Sequence, residues 1–365
     1  MGKILIGMIC DGKAGGIDKY LLNFYETVKK QNHTIDFLTN NKDDELERYL
    51  KKNNSRIFEV PSLMHPVKQY QEVKNIIQVG GYDTVYMNIS TALTFPALKA
   101  AHDCKVEKVI VHSHSVSVDE EMVLKRVIFK CLHNICKGII CRCANKYLAC
   151  SDEAAEWMFT QDIIRNKKYE VIFNAINTEQ FYFDEEARNR LRAELGIKDE
   201  FVIGNVGNMS YPKNQLFLID VFHELLKCEP DAKMVMIGDG ILMPAIEEKV
   251  ASYGIQNSVK LLGRVDVSKG YMNVFDVFAL PSRFEGLGIV LIEAQCTRIP
   301  CVASVKVPKL AKVSNMLTFL PFEKEKWVET LLSYKNCNKD TFVFDSMEKF
   351  SLSHQEKILN SIVSE

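Results

Sequence analysis

The sequence contains no apolar run of about 18 residues, the length that a membrane-spanning helix needs. The formal net charge of the 365 residues is −1, so the chain has no overall affinity for polyanions and no nucleic-acid partner is expected. No Asp-x-Asp motif is present as a metal site, so we expect no metal. The 11 cysteines are scattered, and the opening with Lys3 and a short apolar run does not resemble a signal peptide. Free thiols in the reducing cytoplasm are therefore expected.

Short apolar runs alternate with helical patterns along the chain, which favours parallel sheets with crossover helices. The predicted strands are Lys3–Ile9, Thr34–Leu38, Arg56–Val60, Asp83–Met87, Lys108–His112, Lys146–Cys150, Glu170–Phe173, Phe201–Val206, Met234–Gly238, Val259–Leu262, Val274–Leu280 and Pro300–Ala303. We predict an α/β fold of two doubly wound, Rossmann-like domains, 1–173 and 174–350, with a helical tail at 351–365. Two such domains facing each other would place their ligand loops at the carboxyl ends of the strands, across one cleft.

The segment Pro281–Ala294 carries the most specific signal. It follows an apolar run that is typical of a buried strand, and it leads through a glycine-containing loop into a helical pattern. The free N–H groups of a helix start suit a phosphate. Glu285 in the loop and Glu293 in the helix supply carboxylates, and a helical carboxylate can accept hydrogen bonds from sugar hydroxyls. The combination predicts a pocket for a nucleotide-sugar.

This segment resembles the donor site of family 4 retaining glycosyltransferases, which have the GT-B fold. Further segments that resemble the family are Gly15–Gly16, Tyr147–Asp152, Ile172–Phe181, Gly204–Asn214, Met236–Gly240 and Leu262–Arg264. The closest similarity is to bacterial capsule and exopolysaccharide transferases. The resemblance also implies that the C-terminal helix packs back on the first domain.

The resemblance implies a role for each candidate site residue. Lys213 is expected to neutralise the departing diphosphate, Glu285 to face the transferred sugar and phosphates, and Glu293 to bind the ribose hydroxyls. His114 is expected to contact the donor sugar near the reacting carbon, with His112 as the second choice. The remaining donor-binding candidates are Gly15, Gly16, Gly207, Asn208, Gly286, Leu287 and Gly288. A surface lysine and a structural histidine are the alternative interpretations of Lys213 and His114.

Two positions depart from the family pattern. The family usually has arginine where this chain has Asn208, and glycine where it has Arg298. The neutral Asn208 removes one cation from the diphosphate site. Arg298 or Arg283 is a candidate for the missing charge.

Residues 122–147 form a basic stretch without any acid, interleaved with apolar residues. Such a stretch can lie on an anionic membrane surface. The alternative is a helix that packs its apolar face on its own sheet and leaves its basic face in water. The nearby Cys131, Cys136, Cys141 and Cys143 lack the Cys-x2-Cys spacing of a structural zinc site and are interpreted as helical thiols.

The sequence therefore predicts a cytoplasmic, metal-independent, retaining glycosyltransferase that needs no cofactor beyond its nucleotide-sugar co-substrate. We expect a UDP-linked donor, a growing or lipid-linked glycan as acceptor, a role in cell-surface polysaccharide synthesis, and peripheral attachment at the inner face of the plasma membrane. Two alternatives remain open. One is a non-catalytic GT-B subunit with a degenerate donor pocket, and the other is a GT-B sugar-nucleotide epimerase.

Overall fold

The computed structural model describes residues 2–10, 15–30, 33–267, 270–345 and 347–364. The chain divides into two compact units. The first domain comprises Met1–Ala175 together with Leu352–Glu365, and the second comprises Ile176–Ser351. The chain thus leaves the first domain once and returns to it at the end.

The first domain is built on a seven-stranded parallel sheet of spatial order β3-β2-β1-β4-β5-β6-β7. Its strands are β1 (Lys3–Gly7), β2 (Thr34–Thr39), β3 (Ile57–Glu59), β4 (Thr84–Ile89), β5 (Lys108–Ser113), β6 (Lys146–Ala149) and β7 (Glu170–Val171). Its helices are α1 (Gly15–Lys29), α2 (Asp44–Lys52), α3 (Pro66–Gly80), α4 (Phe95–Asp103), α5 (Val123–Cys143), α6 (Asp152–Met158), α7 (Gln161–Arg165) and the C-terminal α13 (Leu352–Ser364).

The second domain is built on a six-stranded parallel sheet of order β10-β9-β8-β11-β12-β13. Its strands are β8 (Val202–Val206), β9 (Lys233–Ile237), β10 (Val259–Leu261), β11 (Val277–Leu280), β12 (Cys301–Ser304) and β13 (Leu317–Leu320). Its helices are α8 (Glu185–Glu194), α9 (Gln215–Leu225), α10 (Met243–Ser252), α11 (Ile289–Cys296) and α12 (Lys324–Ser333). Two Rossmann-like parallel-sheet domains are thereby confirmed.

Each sheet is covered on both faces, as parallel sheets require. Neighbouring residues of one strand point to opposite faces, so Leu5 packs in one core of the first domain while Ile4 and Ile6 pack in the other. The second of these cores also contains Leu359 and Ile362 of α13. The side-chain amide of Gln355 donates to the carbonyl of Phe173 at 3.0 Å. Helix α13 is therefore an integral part of the first domain.

One predicted strand is wrong at its start, and one observed strand was not predicted. The predicted strand Val274–Leu280 is wrong at its start, because Tyr271–Val274 forms a 3-10 turn and β11 begins at Val277. Asp276 explains the interruption, since its carboxylate accepts the backbone N–H of Val202 at 2.8 Å and pairs with two arginines of α8. Strand β13 was not predicted, because this edge strand is short and mostly half-buried, so its apolar pattern is weak.

Candidate active site

In the second domain, the loops that follow β8 and β9 pack backbone against backbone. The N–H of Gly207 donates to Ile237 O at 2.9 Å, and the N–H of Met209 donates to Asp239 O at 2.9 Å. A Cβ atom on Gly238 would lie 2.0 Å from Gly207 O, and one on Gly240 would lie 2.4 Å from Met209 O. The two loops approach this closely only because Gly238 and Gly240 have no side chains. Neither glycine was singled out from the sequence, although Met236–Gly240 carried part of the resemblance.

The structure brings together Lys213 and Glu285, which are 72 residues apart in the chain. Lys213 ends the 3-10 turn before α9, and Glu285 lies in the loop before α11. Their Nζ and Oε1 atoms are 2.6 Å apart, and the hydroxyl of Ser282 donates to the same oxygen at 2.6 Å. The side chains are 23% and 10% exposed, so Lys213 is the more accessible member of the ion pair. Ser282 was missed by the sequence analysis because single serines carry no pattern.

Helix α11 begins after Gly288, which adopts a left-handed φ of 81°. Gly288 and Leu287 are buried and Gly286 is half-buried, so Leu287 anchors the loop rather than offering its side chain to a ligand. Glu293, in the second turn of the helix, is only 3% exposed. A carboxylate so deeply buried needs polar partners, so Glu293 is not a solvated surface acid.

The three residues connected with the missing cation occupy different environments. Asn208 is exposed, and its carbonyl accepts from the amide of Gln215 at 3.0 Å. The exposed guanidinium of Arg283 lies 4.7 Å from the ring centroid of Tyr211. Arg298 follows the C-terminal end of α11, at the opposite end from Gly288, and a helix of this length spans about 12 Å. Arg298 thus starts at the far end of α11 from the glycine loop, while Arg283 lies in the same loop as Glu285. Both arginines remain predicted candidates for the missing charge.

In the first domain, His112 and His114 lie at the carboxyl end of β5 within a buried polar cluster. The hydroxyls of Tyr20 in α1 and Tyr86 in β4 form a hydrogen bond of 2.6 Å. The hydroxyl of Tyr86 also lies 2.8 Å from His112 Nδ1. The two histidine rings are 4.0 Å apart. His114 Nε2 lies 2.8 Å from the side-chain oxygen of Asn88. The sequence did not indicate Tyr20, Tyr86 and Asn88, because a single tyrosine or asparagine in an apolar pattern cannot be distinguished from an ordinary core residue.

Burial keeps this cluster uncharged. Loss of hydration lowers the pKa of His114 to about 3, and burial, with His114 as a second cause, lowers the pKa of His112 well below its ordinary value. Burial also raises the pKa of Tyr86 and of Tyr20. At neutral pH both imidazoles are neutral and both phenols are protonated. The cluster can therefore donate and accept hydrogen bonds, but it supplies no positive charge.

The glycine-rich turn after β1 is described only in part. Helix α1 starts at Gly15, so Gly15 and Gly16 form its first turn. Residues 11–14 lie outside the described residues. The buried carboxylate of Asp18 accepts the N–H of Cys10 at 3.1 Å, which ties the first turn of the helix to the end of the preceding segment.

The two Rossmann-like domains have the GT-B fold, and comparisons with known proteins show the class of protein. Residues 14–180 match a family model described as "Glycosyltransferase Family 4", and residues 200–333 match one described as "Glycosyl transferases group 1". The chain thus carries one domain of each description and is a glycosyltransferase.

Similar proteins span most of the chain. "Putative glycosyltransferase EpsF" of Bacillus subtilis is 28% identical over 94% of this chain and 91% of its own length. An Escherichia coli "UDP-Gal:alpha-D-GlcNAc-diphosphoundecaprenol alpha-1,3-galactosyltransferase" is 24% identical over 79% of this chain and 76% of its own. The crystal structure of Anabaena Alr3699/HepE with UDP and glucose has a TM-score of 0.78 and 19% identity, covering 100% of this chain and 99% of that one. This last likeness concerns the fold.

Proposed function

We propose that the protein transfers a sugar from a UDP-sugar to a growing or lipid-linked glycan, with retention of configuration and without a metal, in the synthesis of a cell-surface polysaccharide. The observation that carries the proposal is the meeting of Lys213 and Glu285 beside the start of α11, with Glu293 buried in the same helix. UDP and a diphospholipid-linked acceptor appear in the names of a relative and a structural neighbour. Retention rests on the resemblance to retaining family 4 enzymes.

In this proposal Lys213 carries the main electrostatic role. When the bond between the anomeric carbon and the diphosphate breaks, negative charge develops on the leaving oxygen. Fixed cations and dipoles at that position stabilise the transition state. Lys213 would exchange part of its contact with Glu285 for a phosphate oxygen, and the free N–H groups at the start of α11 would face the same diphosphate. A charged hydrogen bond of this kind contributes about 1.5–3 kcal/mol.

The other candidates shape the pocket. Glu293 would accept hydrogen bonds from the ribose hydroxyls, and Glu285 would face the transferred sugar. Gly207 and Asn208, with the loop residues Gly286 to Gly288, would line the diphosphate, while Gly15 and Gly16 would let backbone amides approach it. His112 and His114 of the first domain would contact the sugar. These roles follow from the resemblance, and the contacts described above are compatible with them.

Titration of UDP by calorimetry tests the donor site. Glu293→Ala should weaken binding by about 1–3 kcal/mol, which is roughly 5- to 150-fold. Glu247→Ala, which removes an exposed acid of α10 in the same domain, is the matched control and should bind normally. Unchanged affinity in a folded Glu293→Ala protein would remove this residue from the pocket.

Turnover assays test the reaction. Sugar should appear on an acceptor, and activity should persist in excess chelator. Loss of activity in chelator with recovery in magnesium or manganese would overturn metal independence. Binding without turnover would favour a non-catalytic subunit, and conversion of the donor without any acceptor would favour an epimerase.

We also propose that α5 attaches the protein to an anionic bilayer, which would place the reaction at the inner face of the plasma membrane. Only the second half of α5 packs firmly on its domain, through Cys136, Ile140 and Cys143. The first half exposes apolar side chains together with Lys125 and Lys130. The exposed apolar residues are Met122, Val123, Leu124, Val127, Ile128, Leu132 and Ile135. Apolar and basic groups on one exposed segment match the interface of an anionic membrane.

The described helices include none that is long and apolar enough to cross a membrane. The alternative interpretation of α5 is an apolar face packed entirely on its own sheet. Because the first half of the helix exposes its apolar side chains, this alternative describes only the C-terminal half. Attachment would combine electrostatic attraction with shallow insertion of the apolar residues. These two contributions have different salt dependences, because salt screens only the first.

Sedimentation with vesicles distinguishes them. Binding to anionic vesicles should fall as salt rises without disappearing, and replacing Lys125, Arg126 and Lys130 with glutamate should abolish it. The matched control is Arg48, Lys51 and Lys52 on α2, exposed cations of the same domain, whose replacement with glutamate should leave binding unchanged. Equal binding to neutral vesicles, or equal loss in the control, would contradict the proposal.

A further inference from the structure

Glu285 is held through only one of its two carboxylate oxygens. The ammonium group of Lys213 and the hydroxyl of Ser282 both donate to Oε1, each at 2.6 Å. No described residue is a hydrogen-bond partner of the other oxygen, Oε2. Both oxygens of a carboxylate can accept hydrogen bonds. Oε1 is therefore the anchored atom of this side chain, and it has two donors of different kinds.

The two donors differ in how far they can move. Ser282 is buried, and its carbonyl accepts a hydrogen bond from the hydroxyl of Ser304 at the end of β12. Its side chain turns about a single bond, so its hydroxyl stays where the backbone holds it. Lys213 has a flexible four-carbon stem, and its side chain is 23% exposed. The lysine can therefore leave Oε1, whereas the serine cannot.

The backbone around the pair is fixed, which confines any movement to the lysine side chain. The N–H of Arg283 donates to the carbonyl of Pro212 at 2.7 Å, so the loop that carries Glu285 is tied to the turn that carries Lys213. The Glu285 side chain is only 10% exposed, and a carboxylate so far from water is costly without a fixed donor. If Lys213 turns towards a ligand, Ser282 is the donor that remains.

We propose that Ser282 is a positioning residue that holds Glu285 by Oε1 while Lys213 moves from this carboxylate to the diphosphate of the donor. This inference rests on the proposed function. The hydroxyl of Ser282 can only donate to an ionised carboxylate, so it anchors Glu285 without adding charge. All of these residues belong to the second domain, so UDP binding alone can test the role.

Calorimetric titration of the full-length protein with UDP is the test. Ser282→Ala should weaken UDP binding by roughly 3- to 10-fold, because Glu285 then loses its last fixed donor when Lys213 moves. Ser282→Cys nearly keeps the size of the side chain but offers only a weak donor, so its affinity should lie between those of the wild type and Ser282→Ala. If Ser282→Ala does not fold, Ser282→Cys decides alone. Unchanged UDP affinity in the folded variants would overturn the inference.

A Glu285→Gln background separates positioning from packing. The neutral amide no longer holds Lys213 by charge, so the loss of the Ser282 hydroxyl costs the same with and without UDP. Adding Ser282→Ala to Glu285→Gln should therefore change UDP affinity by less than about 2-fold, which makes the two substitutions non-additive. An equal loss in the wild-type and Glu285→Gln backgrounds would show that Ser282 acts through packing and would overturn the inference.

Ser314→Ala is the matched control. Ser314 is a buried serine of the same domain, and its hydroxyl donates to the side-chain oxygen of Gln295 at 2.9 Å. This variant should bind UDP normally, because no charged partner of Gln295 has to move. A loss of affinity equal to that of Ser282→Ala would contradict the role of Ser282.

The two proposals fail in different ways. If the wild-type protein does not bind UDP, the proposed donor site fails, and the role of Ser282 fails with it. If UDP binds and Glu293→Ala weakens it as expected, but Ser282→Ala does not, only the role of Ser282 fails.

Discussion

The six strands of the second sheet follow the same spatial order as the first six strands of the first sheet, with β8 in the place of β1 and β11 in the place of β4. The loops at the carboxyl ends of these strands nevertheless carry different chemistry. In the first domain they hold a buried, neutral cluster of aromatic and amide side chains around His112 and His114. In the second domain, two loops pack backbone against backbone at Gly238 and Gly240, and Lys213 forms an ion pair with Glu285.

In the proposed function, this contrast would let one architecture meet two demands of a transfer reaction. A sugar presents hydroxyls, which need oriented but uncharged hydrogen-bonding partners. A diphosphate presents charge, which needs backbone N–H groups and a cation. Four predictions test this contrast, and they run from the largest expected effect to the smallest.

Gly238→Ala should have the largest effect, because the new Cβ would lie 2.0 Å from the backbone oxygen of Gly207. We expect UDP binding to be lost and the second domain to be destabilised by more than about 3 kcal/mol, in the range of severe backbone clashes. The control is Gly254→Ala in the same domain, which shares a positive φ but has open space around it. Equal unfolding midpoints in the two variants would show that close backbone approach is not what the loops need.

Each domain contains one of the two tryptophans, so the domains can be followed separately. Trp157 lies in the first domain and Trp327 is buried in the core of the second. Fluorescence of Trp327→Phe therefore reports unfolding of the first domain, and fluorescence of Trp157→Phe reports unfolding of the second.

Lys213→Ala should lower turnover by about 10- to 100-fold, because it removes the cation that the proposed function assigns to the diphosphate and leaves Glu285 without its cationic partner. Lys249→Ala is the matched control, since Lys249 pairs with Asp220 at 2.7 Å in the same domain. A similar loss in both variants would mean that the effect of Lys213 is structural. Steady-state kinetics with a UDP-sugar and acceptor measures the difference.

Acidification should weaken the first domain selectively. Burial lowers the folded-state pKa of His133 to about 4 and of His114 to about 3, and it also lowers that of His112. The folded pKa of each histidine lies below its ordinary value of about 6.5. The neutral histidines therefore stabilise the folded first domain fully above about pH 6.5, and this stabilisation is lost as the pH falls. Between pH 7 and pH 5.5 we expect the free energy of unfolding of the first domain to fall by about 1 kcal/mol for each histidine.

Urea titrations read by Trp157 in Trp327→Phe measure this loss in the first domain. The second domain contains a single histidine, His223, so the Trp327 signal of Trp157→Phe should move much less over the same range. Parallel losses in the two domains would show that the buried histidines do not control acid stability. His133→Gln should remove about one third of the pH dependence of the first domain.

Arg298→Gly should have the smallest effect and should stabilise the second domain by about 0.5–1 kcal/mol. Helix α11 ends in a Schellman turn, with Ile299 N–H bonded to Ala294 O and Arg298 N–H bonded to Gln295 O. Arg298 occupies the left-handed position at φ 55°, where glycine is usual. Asn54 occupies the matching position after α2 in the first domain. Asn54→Gly should stabilise that domain by less, because asparagine tolerates the left-handed conformation. An equal or larger gain there would contradict the explanation.

The sequence supported the prediction of the architecture because alternating apolar runs reveal buried parallel strands. It also marked Lys213, Glu285 and Glu293, since these lie in segments of a recognisable order of strand, loop and helix. It did not reveal that Lys213 and Glu285 form an ion pair, because the contact depends on how two distant loops meet. The same holds for Arg298, whose distance from the start of α11 became clear only once the helix bounds were known.

The buried cluster of the first domain was least accessible to sequence reasoning. His112 and His114 were noticed because histidines at a strand end are unusual in an apolar run. Tyr20 and Asn88 come from other elements, and their sequence neighbours give no sign of a polar contact. The register of β4 against β5, which pairs Asn88 with His112, brings Asn88 to the histidines, and the ring of Tyr20 contacts them from α1.

The return of the chain to the first domain has a consequence for synthesis on the ribosome. Helix α13 supplies Leu359 and Ile362 to a core that is otherwise made by residues before 176. That core stays open until the whole second domain has been translated, so the domain that begins first is completed last. A nascent chain or truncated product that ends within the second domain would expose apolar surface of α1, which makes it a natural target for chaperones and proteases.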